Sequence, residues 1–175
     1  MNSRTWCSLS WIRSTYVDDL FLAEQFKTVA DYAIEHISGI SDRGHADAQF
    51  VPIAYLYRHS LELQLKSIVS YCLAEGVLTD PAGKIGKTLK RSHSLGRIWI
   101  HARKALEKTW TQEDGRLLDN VEIMIKDFHR MDENGQDLKY CTDTKGRETR
   151  GDLPDHVDLL DFKDSFNGVY SLLDG

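Results

Sequence analysis

The stretch that most constrains this chain is Val51–Leu73, VPIAYLYRHSLELQLKSIVSYCL. Wound as an α-helix, it places Ile53, Tyr57, Leu61, Leu65, Ile68 and Cys72 on one broad face and Leu56 and Leu63 on another. A helix that is apolar on two sides is buried on two sides. Between the faces runs a narrow stripe of Arg58, His59, Glu62 and Lys66, and the opposite gap carries Ser60, Gln64 and Ser67, which would let a neighbouring helix approach closely. Charges walled by apolar residues are expensive unless paired, so Arg58, Glu62 and Lys66, spaced i, i+4, i+8, are expected to form an ionic ladder. The plain alternative is a solvated helix face, with the aliphatic stems lying on the surface and the charged heads in water.

A chain of 175 residues, 41% hydrophobic and 28% charged, with only three prolines, fits one folded domain rich in helix. Its net charge of −5 argues against a broad grip on a phosphate backbone, so any nucleic-acid contact must be local. Cys7, Cys72 and Cys141 are odd in number and far apart, and we read them as reduced thiols of a cytoplasmic protein. No apolar run reaches the roughly 18 residues of a membrane span, and the N-terminus lacks the pattern of a signal peptide. Neither a metal nor another cofactor is expected.

The remaining periodicity predicts four more helices. The first runs from about Ser14 to a stop at Gly39, with Val17, Leu20, Phe21, Val29, Ala33 and Ile37 inside. Residues 1–13 are an extension whose Trp6 and Trp11 could dock on the core or on a larger assembly. A polar loop over 39–49 leads to Pro52, placed to open the central helix, which Gly76 ends. The connector 79–92 is basic; its PAGKIGKT resembles a phosphate-binding loop but has Pro81 where the leading glycine belongs and follows a helix. Ser92 would cap a third helix carrying Leu95, Trp99, Ala102 and Leu106. A Thr111–Asp114 capping box would open a fourth, with Leu117, Leu118, Val121, Ile125 and Phe128 inside. Residues 132–152 lose period, and Asn134-Gly135 and Lys145-Gly146 signal a short hairpin or an ordered loop. A last helix from Asp152 or Pro154 buries Val157, Leu160, Phe166, Val169 and Leu173. The expected architecture is therefore all-α, a single five-helix bundle over 1–175 with one elaborated loop.

Three pieces of the chain then line up with a known family. The run Arg58-His59-Ser60-Leu61-Glu62-Leu63-Gln64-Leu65-Lys66 resembles the Arg-His-x-x-Glu-Leu-x-Leu-Lys helix of a branch of HEPN-like bacterial proteins. His93-Ser94-Leu95 with Ile98-Trp99 is similar to the opening of that branch's next helix. Leu138-Lys139-Tyr140-Cys141 resembles its later Phe-Arg-Tyr-Pro loop, with Lys139 for the arginine and Cys141 for the proline. The resemblance covers about half the chain. It implies a helical bundle that dimerises, belonging either to metal-independent endoribonucleases of toxin–antitoxin or anti-phage systems or to inactive binding, scaffold or antitoxin subunits that hold a nucleotide or an operon-encoded protein.

RNA cleavage without a metal needs a base, an acid and positive charge on the phosphorane, which His and Arg supply near neutral pH. The resemblance implies an Arg, four to six residues, then His; this chain has Arg150 and His156. A second candidate set is Arg58, His59 and Glu62, in which Glu62 at i+3 could orient His59 as a base while Arg58 and Lys66 hold an anion. The competing structural reading makes Glu62 the buried anchor of Arg58 and His93. Lys66, His93, Lys139 and Tyr140 complete the expected binding residues.

Overall fold

In this computed structural model, residues 18–40, 43–110, 115–143, 145–149 and 153–174 are described. Trp6, Trp11, Cys7, the Thr111–Asp114 box and Arg150 lie outside them. Among the described residues the fold is all-α, with six helices and no strand: α1 Asp19–Ser38, α2 Arg43–Ala74, α3 Lys84–Arg91, α4 Leu95–Thr109, α5 Gly115–Met131 and α6 Leu159–Asp174. None of them is long and apolar enough to cross a membrane.

Helix α2 is the axis, packed against α1, α4 and α6. Its two apolar faces are both covered: Tyr57, Leu61, Leu65 and Val69 are fully buried, and Leu63 nearly so on the other side. The Tyr57 ring meets Phe162 and Phe166 of α6, and its hydroxyl donates to Asp31 of α1 at 2.6 Å. Burial, then the bond to Asp31, pushes that phenol far above its ordinary pKa. The small-residue gap works as expected. Ser60 Oγ donates to the Ala23 carbonyl at 2.6 Å and Gln64 Nε2 to the Tyr170 carbonyl at 3.1 Å, so α1 and α6 close on α2 at short range.

Several expectations are corrected. Pro52 does not open the central helix but sits inside it, because α2 starts at Arg43 and absorbs most of the expected polar loop. A mid-helix proline leaves the carbonyl four residues back without its N–H partner, and here Ala48 and Pro52 are both exposed, on the solvent side of the helix. The apolar stripe of α1 is right at Ile37, which is buried, and at Ala33, which packs on the core, but Leu20, Phe21 and Val29 are exposed and Ala23, Ala30 and Ile34 are buried in their place, because close approach to Ser60 favours the alanine face.

The basic connector contains an extra helix, α3, started by Asp80, whose carboxylate accepts the Lys84 and Gly86 N–H groups at 2.8 Å each. The N-cap of α4 is Ser94, not Ser92, which instead accepts the Ser94 N–H at 3.1 Å. Leu117 is exposed, while Leu118, Val121, Ile125 and Phe128 are buried as expected. Helix α6 starts later than predicted. Asp158 accepts from the N–H groups of Leu160 and Asp161, Val157 precedes the helix and Leu160 is exposed. The elaborated loop does turn back on itself: Thr142 and Glu148 form an antiparallel bridge around Gly146, whose φ of 76° suits glycine.

Replacing Pro52 by Ala should restore one helical hydrogen bond. Set against the looser unfolded chain, the expected net gain is about 1–2 kcal/mol, or roughly 2–8 °C in Tm by calorimetry. A fall in Tm would mean that residues 43–51 do not continue α2.

Candidate functional site

The polar stripe of α2 is not a solvated face. Arg58 is 1% exposed and Glu62 2%, and the two form an i, i+4 pair with Arg58 Nη1 donating to Glu62 Oε2 at 3.0 Å. The other guanidinium groups are committed elsewhere. Nη2 donates to the His93 carbonyl in the link between α3 and α4, and Nε donates to the Asp132 carbonyl at 3.3 Å, just past α5. The Asp132 carboxylate, fully buried, lies 3.2 Å from Nε through Oδ2. That contact is one of charge, since Oδ2 has no hydrogen-bond partner among the described residues and the N–H points to the carbonyl. Asp132 Oδ1 accepts the N–H groups of Gln136 and Asp137, at 2.7 and 3.0 Å, which fixes the turn that follows.

Gly135 in that turn has φ +74°, and a Cβ built on it would stand 2.9 Å from the His93 Cβ and 3.2–3.3 Å from the Arg58 guanidinium nitrogens. Glycine is needed here both for its backbone and for its missing side chain. Glu62 Oε1 accepts from Lys66 Nζ at 2.8 Å and lies 2.9 Å from His93 Nδ1. Burial pushes the Glu62 carboxyl up, but Lys66, His93 and Arg58 together outweigh it and hold it below its ordinary value. The network closes on itself electrically: two cations, Arg58 and Lys66, face two carboxylates, Glu62 and Asp132.

The candidate residues therefore separate into three places. Arg58, Glu62, Lys66 and His93 converge, with Lys66 and the half-exposed His93 ring as the parts that reach water. His59 does not pair with Glu62 by hydrogen bond. Its ring packs edge-on to Phe26 and stacks on Tyr55, and burial first, then the nearby cations Lys139, Arg58 and Lys66, lowers its pKa against the pull of Glu62. The imidazole that Glu62 orients is His93, which corrects the expected base. Lys139 lies over the Tyr55 ring at 5.2 Å, and Tyr140 is exposed beside it.

His156 stands apart. It lines an open cleft of about 1080 Å³ between the start of α6 and the end of α5, with Phe128 and Phe162 in its wall and Asp127, Arg130, Glu133, Asp137, Asp158 and Asp161 also lining it. Arg150 lies outside the described residues. Asp132 and Gly135 are structural members of the network; the sequence marks Asn134-Gly135 as a turn, but nothing in it singles out Asp132. No family model, curated protein or solved structure matches the chain. The likeness to HEPN-like proteins thus rests on motif order.

Replacing Arg58 by Met leaves Asp132 buried without its cation and Glu62 with only Lys66 and His93, and should destabilise by about 3–5 kcal/mol in urea titrations, against about 1 kcal/mol for Lys66→Met at the rim. Because the folded pKa of Glu62 is depressed, its contribution is present above the ordinary 4.5 and is lost as pH falls through the lower folded value. Glu62→Gln should flatten the loss of stability in that acid window. An unchanged acid profile would show that another carboxylate controls it.

Proposed function

We propose that this chain is a non-catalytic HEPN-like helical module, a scaffold or antitoxin-type subunit that holds a protein or nucleotide partner and works as a homodimer. The single observation behind this reading is the closure of the Arg58 network. A phosphorane needs spare positive charge within reach, and here the guanidinium is enclosed, its donors are directed to Glu62, His93 and Asp132, and the two cations are matched by two carboxylates. The cleft at His156 points the same way, since five acids line it against the single cation Arg130, a net negative wall that repels a phosphodiester.

One observation favours the second reading, a metal-independent endoribonuclease of a toxin or defence system. The His93 ring is 51% exposed with Nδ1 held on the Glu62 carboxylate, the arrangement that fixes a tautomer and leaves Nε2 free to act as a base.

The two readings separate in one experiment. The purified protein, with and without its operon partners, is incubated with tRNA, mRNA and single-stranded oligonucleotides in EDTA. Intact RNA, together with a dimeric mass in sedimentation, is the expected result. Cleavage that disappears in a folded His93→Ala or His156→Ala variant would replace the proposal by the nuclease reading.

A further inference from the structure

Between Lys84 and Lys108 the chain carries eight Lys and Arg against one acid, Glu107, a net +7 within a protein of net −5, so the remaining residues sum to −12. A segregation of that size is an electrostatic feature in its own right. The segment is α3 and α4. On α3, Lys84, Lys87, Lys90 and Arg91 are all exposed and fall on one side, while Ile85 and Leu89 on the other side pack against the core. The chain then turns through residues 92–94, and α4 packs against α3.

The outward stripe of α4 adds Arg97 and Lys104, both exposed. These six cations have no ion pair among the described residues. Arg103, by contrast, is tied to Glu107, Asp119 and Glu122, and Lys108 donates to the Val77 carbonyl.

We infer that the outer face of α3 and α4 is a docking surface for the phosphodiester backbone of a nucleic acid. Six unpaired cations carried on two helices of an otherwise acidic protein present a local positive field, which neither folding nor ion pairing within the described residues explains. The chemistry of the face distinguishes its partner. A membrane surface would be met by the apolar side of an amphipathic helix, but Ile85 and Leu89 are turned inward onto the core. A protein partner would be met by an apolar centre, and among the described residues the only large hydrophobic side chain exposed on this face is Ile100, at 66%. A regular polyanion needs charge and little else. The inference stands apart from the proposed role of the buried network, and the network and the face can be tested separately.

The test is fluorescence polarisation of the full chain with a labelled single-stranded RNA, the same sequence as DNA, and a duplex DNA, with phosphatidylglycerol vesicles assayed by co-sedimentation. Binding to at least one nucleic acid is expected to weaken with salt between about 50 and about 200 mM. Neutralising about four phosphates on a single strand gives a log–log slope near −3.

The triple variant Lys84→Gln, Lys87→Gln, Lys90→Gln should lose roughly tenfold or more in affinity and flatten that slope, with Tm unchanged because the side chains are exposed. The control triple Arg116→Gln, Lys126→Gln, Arg130→Gln on α5 should stay within about twofold. The RNA and DNA arms identify which backbone is preferred, and either supports the assignment. No binding to any nucleic acid at the lower salt, equal losses in the two triple variants, or vesicle binding without nucleic-acid binding would overturn it. Should the α3 triple melt early, Lys87→Glu alone carries the same comparison.

Discussion

The enclosed guanidinium of Arg58 is the interaction on which the arrangement of this protein depends. A charge withdrawn from water needs every donor directed to a partner, and the partners of Arg58 come from three places: Glu62 one turn along α2, the His93 backbone before α4, and Asp132 after α5. One side chain thereby ties segments 35 and 74 residues away to the central helix. The turn after α5 is held from both sides. Asp132 Oδ1 gathers its N–H groups, and Gly135 lets its backbone lie against the guanidinium, where any side chain would collide.

A buried ion pair is weak evidence for stability, because a well-packed apolar substitute often does as well. What an apolar substitute lacks is direction. The fork of an arginine fixes the angles at which two carbonyls and a carboxylate can approach, so the network determines where the 132–138 segment sits more than how tightly the core holds together. That segment in turn carries Lys139 onto the Tyr55 ring and leaves Tyr140 exposed. The order of causes is geometric. The network sets the turn, and the turn sets the surface on which Lys139 and Tyr140 appear.

Much of this was legible in the chain, for a definite reason. Where charge and hydrophobicity obey one period, as over 53–72, the spacing named both buried faces and the ladder of Arg58, Glu62 and Lys66. Where a helix is packed by small residues, the period misled. Ala23 and Ala30 of α1 are too weakly apolar to outvote Leu20, Phe21 and Val29, yet Ser60 and the alanines permit the closer approach and so decide the face. Pro52 misled in another way, since a proline favours a first-turn position but is tolerated inside a helix when the surrounding packing holds the chain helical on both sides. Asp132 was not legible, because the value of an isolated acid depends on a guanidinium 74 residues earlier.

The same contrast applies to charge. A net of −5 averages over two unlike populations, and averages are the wrong quantity when a Debye length is about 8–10 Å. Within that radius an approaching polyanion meets the cations of α3 and α4, while the acids lining the His156 cleft belong to the end of α5, the segment after it and the start of α6. The buried network contributes little to either field, since its two cations and two carboxylates cancel at short range. Positive charge that is unpaired and exposed differs physically from positive charge that is paired and enclosed, and only the first can act on something outside the protein. In this chain the two kinds occupy different elements, so the residues that specify the fold at α2 and the residues able to attract a partner at α3 and α4 can vary independently.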